Sequence, residues 1–107
     1  MEGLEMYCVE LITYVGDARS SFIQAIGAAK EGDFLEADRL IAAGEESFIN
    51  GHRVHGELIQ KAASGELSHI SMILVHAEDQ LMSAETFKIL ANEFIDVYRK
   101  MGCSFRV

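Results

Sequence analysis

The chain reads as an all-α protein, an antiparallel up-down-up bundle of three long helices. Three observations predict this. The 107 residues contain no proline, so no ring or missing N–H interrupts a helix. Glycines followed by capping residues divide the chain into three long segments. Each segment carries apolar residues at alternating spacings of three and four, the mark of a helix with a buried face. Half of the residues are hydrophobic, enough for one core, and the length suits a single domain over 1–107.

The first helix is predicted over 4–31, with Leu4, Cys8, Leu11, Val15, Ala18, Phe22, Ala25 and Ala29 as its seam. Gly32 reads as its stop. Asp33 follows as an N-cap, with Glu36 at the capping-box spacing. The second helix is predicted over 34–63. Its seam is Phe34, Ala37, Ile41, Gly44, Phe48, Gly51, His55, Leu58 and Ala62. Glycines at 44 and 51 each weaken a helix by about 1 kcal/mol, and close approach to a neighbouring helix is the compensation they predict. Gly65 stops this helix. The third is predicted over 67–101, with Ser68 as a cap and Gly102 as its end. Two short connections between long helices favour antiparallel neighbours.

The third helix carries two seams. One is Ile73, Ala77, Gln80, Ala84, Phe87, Ala91, Phe94 and Tyr98; the other is Met72, Val75, Asp79, Met82, Thr86 and Ile89. At about 100° per residue they lie on roughly opposite faces. A three-helix bundle buries one face per helix, so the second apolar face predicts a homo-oligomer with the third helix at its axis.

Asp79 falls inside the second seam, where an isolated carboxylate is costly to bury. In a trimer three copies would converge and repel, and a hard divalent cation such as Mg²⁺ would neutralise them. The alternative is that Asp79 is exposed and the second stripe accidental. His76 lies about 60° around the helix from Asp79, at the edge of that seam. An imidazole there can attack phosphorus or bind metal, or it can serve as a hydrogen-bonded packing group. His52 and His55 stand three apart, a possible but weak metal pair without further ligands. His55, on the apolar seam, reads as a packed and hydrogen-bonded group. His69, near a helix start, reads as exposed, and Cys8 as a buried structural thiol.

The net charge of −8 argues against nucleic acid and anionic membrane as partners. No apolar run approaches the roughly 18 residues of a membrane span. Cys8 and Cys103, with no secretory-type segment ahead of them, carry little disulfide signal, and a soluble cytoplasmic domain is expected. No glycine-rich phosphate loop and no Ser/His/Asp arrangement is present.

The segment 75-VHAEDQLMSAET-86, with 16-GDARS-20, 30-KEGDFLEA-37 and 58-LIQKAASGE-66, spreads in order over nearly the whole chain. Together they resemble the lactose/cellobiose/diacetylchitobiose class of IIA proteins of the bacterial phosphoenolpyruvate-dependent sugar phosphotransferase system. The resemblance implies a cytoplasmic homotrimer of three-helix protomers. It implies that His76 accepts a phosphoryl group through Nε2 from the phosphocarrier HPr and passes it to a cysteine of a IIB protein or domain. A lactose- or cellobiose-like disaccharide would be phosphorylated as it enters through IIC. It further implies that Asp79 binds a divalent metal, Mg²⁺ or similar, on the three-fold axis. Two departures stand out: Gln80 occupies a position usually held by His, and His55 and Gly56 replace the usual Gln and Thr, while His52 keeps its place. His55 could orient the active-site region in place of that Gln. Two other readings compete: a phosphorelay histidine domain, disfavoured by the sequence 76-HAEDQ-80, and a non-catalytic helical oligomerisation module.

Overall fold

The computed structural model describes residues 3–66 and 70–105. Three helices follow in order: α1 Gly3–Lys30, α2 Phe34–Ala63 and α3 Met72–Phe105. They form a rod of 62 × 19 × 16 Å. Gly44 of α2 lies against Phe22 of α1 and Gly51 against Val15, so the two helices run antiparallel. His55 meets Glu78 and Asp38 meets Arg99, which sets α3 antiparallel to α2. The up-down-up bundle is therefore the observed fold.

The turn after α1 is built as the glycine predicted. Gly32 has φ +79°, Asp33 N–H donates to Ala28 O and Gly32 N–H to Ala29 O. This closes the helix with a Schellman pair and satisfies two orphan carbonyls. Gly65, at φ +85°, ends α2 the same way, with Glu66 N–H donating to Lys61 O and Gly65 N–H to Ala62 O. Asp33 caps α2 by accepting from Glu36 N–H at 3.1 Å. Only half of the predicted capping box forms, because the Glu36 carboxylate pairs with Arg39 one turn on, and that hydrogen bond holds its carboxyl below the usual range.

The start and end of α3 differ from expectation. The helix begins at Met72 rather than 67, capped by Ser71, whose Oγ accepts from Leu74 N–H at 3.3 Å. Ser71 has the same capping chemistry as Ser68, and an apolar pattern alone does not choose between them. Ser68 and His69 lie outside the described residues, as does the Cys103 side chain. Gly102 does not stop the helix, which continues to Phe105. A glycine ends a helix only when the next turn gains something by reversing, and here the backbone stays α-helical.

α1 is the central element. It packs extensively on both other helices, whereas α2 and α3 share much less. Seven of its eight predicted seam residues, Cys8 through Ala29, are fully buried, and Leu4 is half-buried. Phe22, Leu11, Val15 and Val54 are the largest wholly buried side chains, each worth about 1.5–3 kcal/mol of apolar transfer. The seam of α2 holds at Ala37, Gly44, Phe48, Gly51 and Leu58; Leu40 and Val54 join it and Ala62 leaves it. On α3 the anchors Ala77, Ala84 and Ala91 are buried as predicted, but Leu81 and Ile95 fill the intervening core positions and Phe94 turns outward. Periodicity locates the anchors; which flank of each anchor faces inward depends on where α1 lies.

The two α2 glycines mark close helix contact. A Cβ on Gly44 would stand 2.6 Å from Phe22 Cε1, and one on Gly51 would stand 2.8 Å from Val15 Cγ1. The facing atoms belong to fully buried side chains with little room to move. A Cβ on Gly27, by contrast, would meet nothing within 4 Å.

Gly44→Ala should destabilise the bundle by about 1–3 kcal/mol through overpacking. Gly27→Ala should stabilise it by up to about 1 kcal/mol through helix propensity, both read by urea unfolding. Burial, then the nearby carboxylates of Glu78 and Glu5, push the Cys8 thiol above its ordinary range. At about pH 8 a thiol reagent should leave Cys8 unmodified in the folded protein and label it after unfolding, as peptide mapping would show.

Candidate functional site

Helix α3 presents the predicted second face to the outside of the chain. Met72 is 84% exposed, Met82 66% and Val75 52%, and Asp79, Thr86 and Ile89 are exposed with them. The face runs further than the sequence stripe, because Leu90, Phe94, Val97 and Met101 continue it along the same side. So many apolar side chains on one surface of a single rod leave a large unpartnered patch. The second stripe is a real surface of the fold.

His76 and Asp79 occupy this face one turn apart, and both are exposed. His76 makes no hydrogen bond, ion pair or ring contact to another described residue, so neither ring nitrogen is engaged within the described part of the chain. An imidazole with a free nitrogen at the rim of an apolar surface can act as a nucleophile toward an electrophile that a partner brings to it. Asp79 likewise has no cation beside it among the described residues. Within one chain no three His, Cys, Asp or Glu side chains of the described residues converge as metal ligands. A single carboxylate per chain can contribute to a hard-cation site only together with groups from elsewhere.

The other histidines separate. His52 is exposed and sets its ring edge against Phe48, with centroids 4.9 Å apart. His55 turns the other way, and its Nε2–H donates to Glu78 Oε1 at 2.7 Å. The i,i+3 spacing therefore does not build a metal pair: one ring packs on an aromatic and the other holds a carboxylate. His55 is the packed, hydrogen-bonded group that its seam position predicted, with a side chain only 17% exposed. Its partner Glu78 was not legible as such. The signal was present, since a half-buried imidazole on an apolar seam needs a polar partner, but several carboxylates were available and only the packing of α3 selects one. Gln80, the departure from the usual His, is half-buried.

Glu78 stands where the three helices meet. It bonds His55 of α2, and its charge is close enough to Cys8 of α1 to help raise the thiol. At the far end of the same seam, Arg99 Nη2 donates to both carboxylate oxygens of Asp38 at 2.7 Å and its guanidinium lies over the Phe34 ring. Lys88 lies over Phe48 between them. Polar and cation–π contacts thus cross the α2–α3 seam, where the two helices touch much less than either touches α1.

No helix among the described residues is long and apolar enough to cross a membrane. Residues 6–99 match the family described as the PTS system, lactose/cellobiose-specific IIA subunit. The PTS oligo-beta-mannoside-specific EIIA component of Bacillus subtilis (strain 168) is 42% identical over 95 residues, 89% of this chain and 86% of that one. The crystal structure of the PTS cellobiose-specific enzyme IIA from Bacillus anthracis superposes with a TM-score of 0.92 at 42% identity, covering 96% of this chain and 94% of that one. The solution structure of a IIA(Chitobiose)–HPr complex from the diacetylchitobiose branch of the Escherichia coli phosphotransferase system gives a TM-score of 0.81 at 31% identity, over 95% and 99% of the two chains. A three-helix rod with an open apolar face, matched over nearly its whole length by these proteins, belongs to the lactose/cellobiose IIA family and is a phosphotransferase component of the sugar phosphotransferase system.

Proposed function

We propose that this chain is a cytoplasmic phosphocarrier that takes a phosphoryl group from HPr onto His76 and delivers it to a cysteine of IIB. Uptake and phosphorylation of a lactose- or cellobiose-like disaccharide through IIC follow from that delivery. The observation that carries this reading is the exposed imidazole of His76, unengaged among the described residues, on the rim of the α3 apolar face. A related IIA solved in complex with HPr supports the donor.

The chemistry asks for positioning more than for reactive groups. The lone pair of neutral His76 Nε2 attacks the phosphorus in line with the donor's N–P bond. The donor imidazole keeps the bond's electron pair and takes up a proton. In the second transfer a cysteine thiolate of IIB attacks, and His76 becomes the leaving group. Apolar side chains around His76 would keep water from intercepting the phosphoryl group. The acidic surface of this chain would favour approach of a donor with basic patches.

The open face of α3 supports assembly as a homotrimer with α3 near the axis. Val75 and Met82 bracket Asp79 on that face, so assembly through it would bring the copies of Asp79 together. Three carboxylates supply the oxygen donors that suit Mg²⁺ or a similar hard cation, which would offset their mutual repulsion.

Two experiments test this reading. With phosphoenolpyruvate, enzyme I and HPr, the native protein should gain an acid-labile phosphoryl group and His76→Gln should gain none; an unlabelled native protein would sink the phosphocarrier. In sedimentation the native protein should run at about three times the 11.8 kDa chain mass. Asp79→Leu should stay trimeric and lose any Mg²⁺-dependent rise in Tm, because apolar packing replaces a charge cluster. A native monomer at working concentration rules out the axial arrangement.

A further inference from the structure

We propose that His55 and Glu78 act together as a positioning pair that sets the rotation of α3 and so the direction in which His76 is presented. This rests on His76 being the phosphoryl acceptor and adds two residues to that site. On the core-facing side of α3 near His76, Ala77, Leu81 and Ala84 are buried, and Ile73, Leu74 and Phe87 pack partly buried beside them. These apolar contacts bring α3 close to α1 but are non-directional, so a hydrogen bond at the same turn adds a kind of constraint that they lack. α2 touches α3 much less than α1 does. The 2.7 Å bond from His55 Nε2–H to Glu78 Oε1 is a directional constraint at just this turn.

The geometry couples this bond to His76. The two residues are separated by Ala77 alone, so His76 and Glu78 point to opposite flanks of α3, about 160° apart. Tying Glu78 to α2 therefore turns His76 outward, away from α2 and onto the rim of the apolar face. Burial strengthens the tie, since the His55 side chain is only 17% exposed and its bond to Glu78 is little screened by water. The second polar tie, Arg99 to Asp38, sits some 21 residues or about 31 Å farther along α3 and cannot substitute for it locally.

The test compares His55→Leu, Glu78→Ala, the double variant and His55→Gln. Leu suits the apolar seam and Ala a half-exposed helical site, so at least one broken-tie variant retains the fold. Each protein is assayed for phosphoryl transfer from phosphorylated HPr, and its His76 ring signals are recorded by ¹H–¹⁵N NMR without donor. Breaking the tie on either side should lower kcat about tenfold while KM for phosphorylated HPr stays within about twofold. The double variant should be no slower than either single one, because both remove one interaction. His55→Gln, which can still donate to Glu78, should recover kcat to within about twofold of native. The His76 ring signals should shift in the slow variants and return in His55→Gln. Native kcat and native His76 signals in both His55→Leu and Glu78→Ala would overturn the proposal, as would a His55→Gln protein as slow as His55→Leu. Should the native protein accept no phosphoryl group, the phosphocarrier reading fails and the His76 ring signals alone decide the positioning role.

Discussion

The continuous apolar stripe of α1 is the surface on which everything else is placed. Cys8, Leu11, Val15, Ala18, Phe22, Ala25 and Ala29 recur every three or four residues with no polar interruption, so the helix has one way to bury itself. α2 presses onto it through two glycines that bring backbone against Phe22 and Val15. α3 presses onto it through Ala77, Leu81, Ala84, Ala91 and Ile95. Small and large side chains alternate on all three helices, with Ala18, Ala25 and Ala29 beside Phe22 on α1 and Leu58, Phe48, Leu81 and Ile95 on its neighbours, which gives close packing. Apolar packing of this kind is non-directional, so it sets the distance between helices more firmly than their rotation.

That trade shapes the functional face. α3 is apolar on both sides, yet only one side is used to build the chain. The other is exposed in the single chain, and His76 and Asp79 stand on it among methionines and β-branched residues. Methionine is well suited to such a surface, since its flexible and polarisable side chain adapts to whatever packs on it. In the proposed role, an imidazole on an apolar rim would combine access for a partner's phosphoryl group with protection from water once that partner is seated. The His55–Glu78 bond between α2 and α3 adds a directional contact to this apolar packing, and in the proposed role it fixes how the face is turned.

Much of the fold was legible in the chain itself because its signals were local. Gly32 and Gly65 adopt the positive φ that a helix stop requires, and Asp33 accepts the amide that its position predicted. The seam of α1 was read residue by residue. Less clear were the limits of α3: Ser71 and Ser68 are chemically equivalent caps, and Gly102 is compatible with a helix as well as with its end. The Glu36 side chain departed from the capping box because Arg39 offered it a stronger, charged partner. The choice of Leu81 and Ile95 over Gln80 and Phe94 as core residues depended on the angle at which α3 meets α1.

The site divides the same way. Sequence alone determined that the third helix has two apolar faces, that Asp79 lies on the outer one and that His76 lies beside it, because helical periodicity is a property of a single segment. Its resemblance to the lactose/cellobiose IIA family supplied the chemistry expected of those residues. Only the tertiary structure decided that His55 pairs with Glu78 and not with His52, that Gly44 and Gly51 are needed for close contact, and that the outer face extends to Met101. Each of these is set by the separation and rotation of two helices. Those quantities are fixed by packing between segments distant in the chain, and no local pattern encodes them.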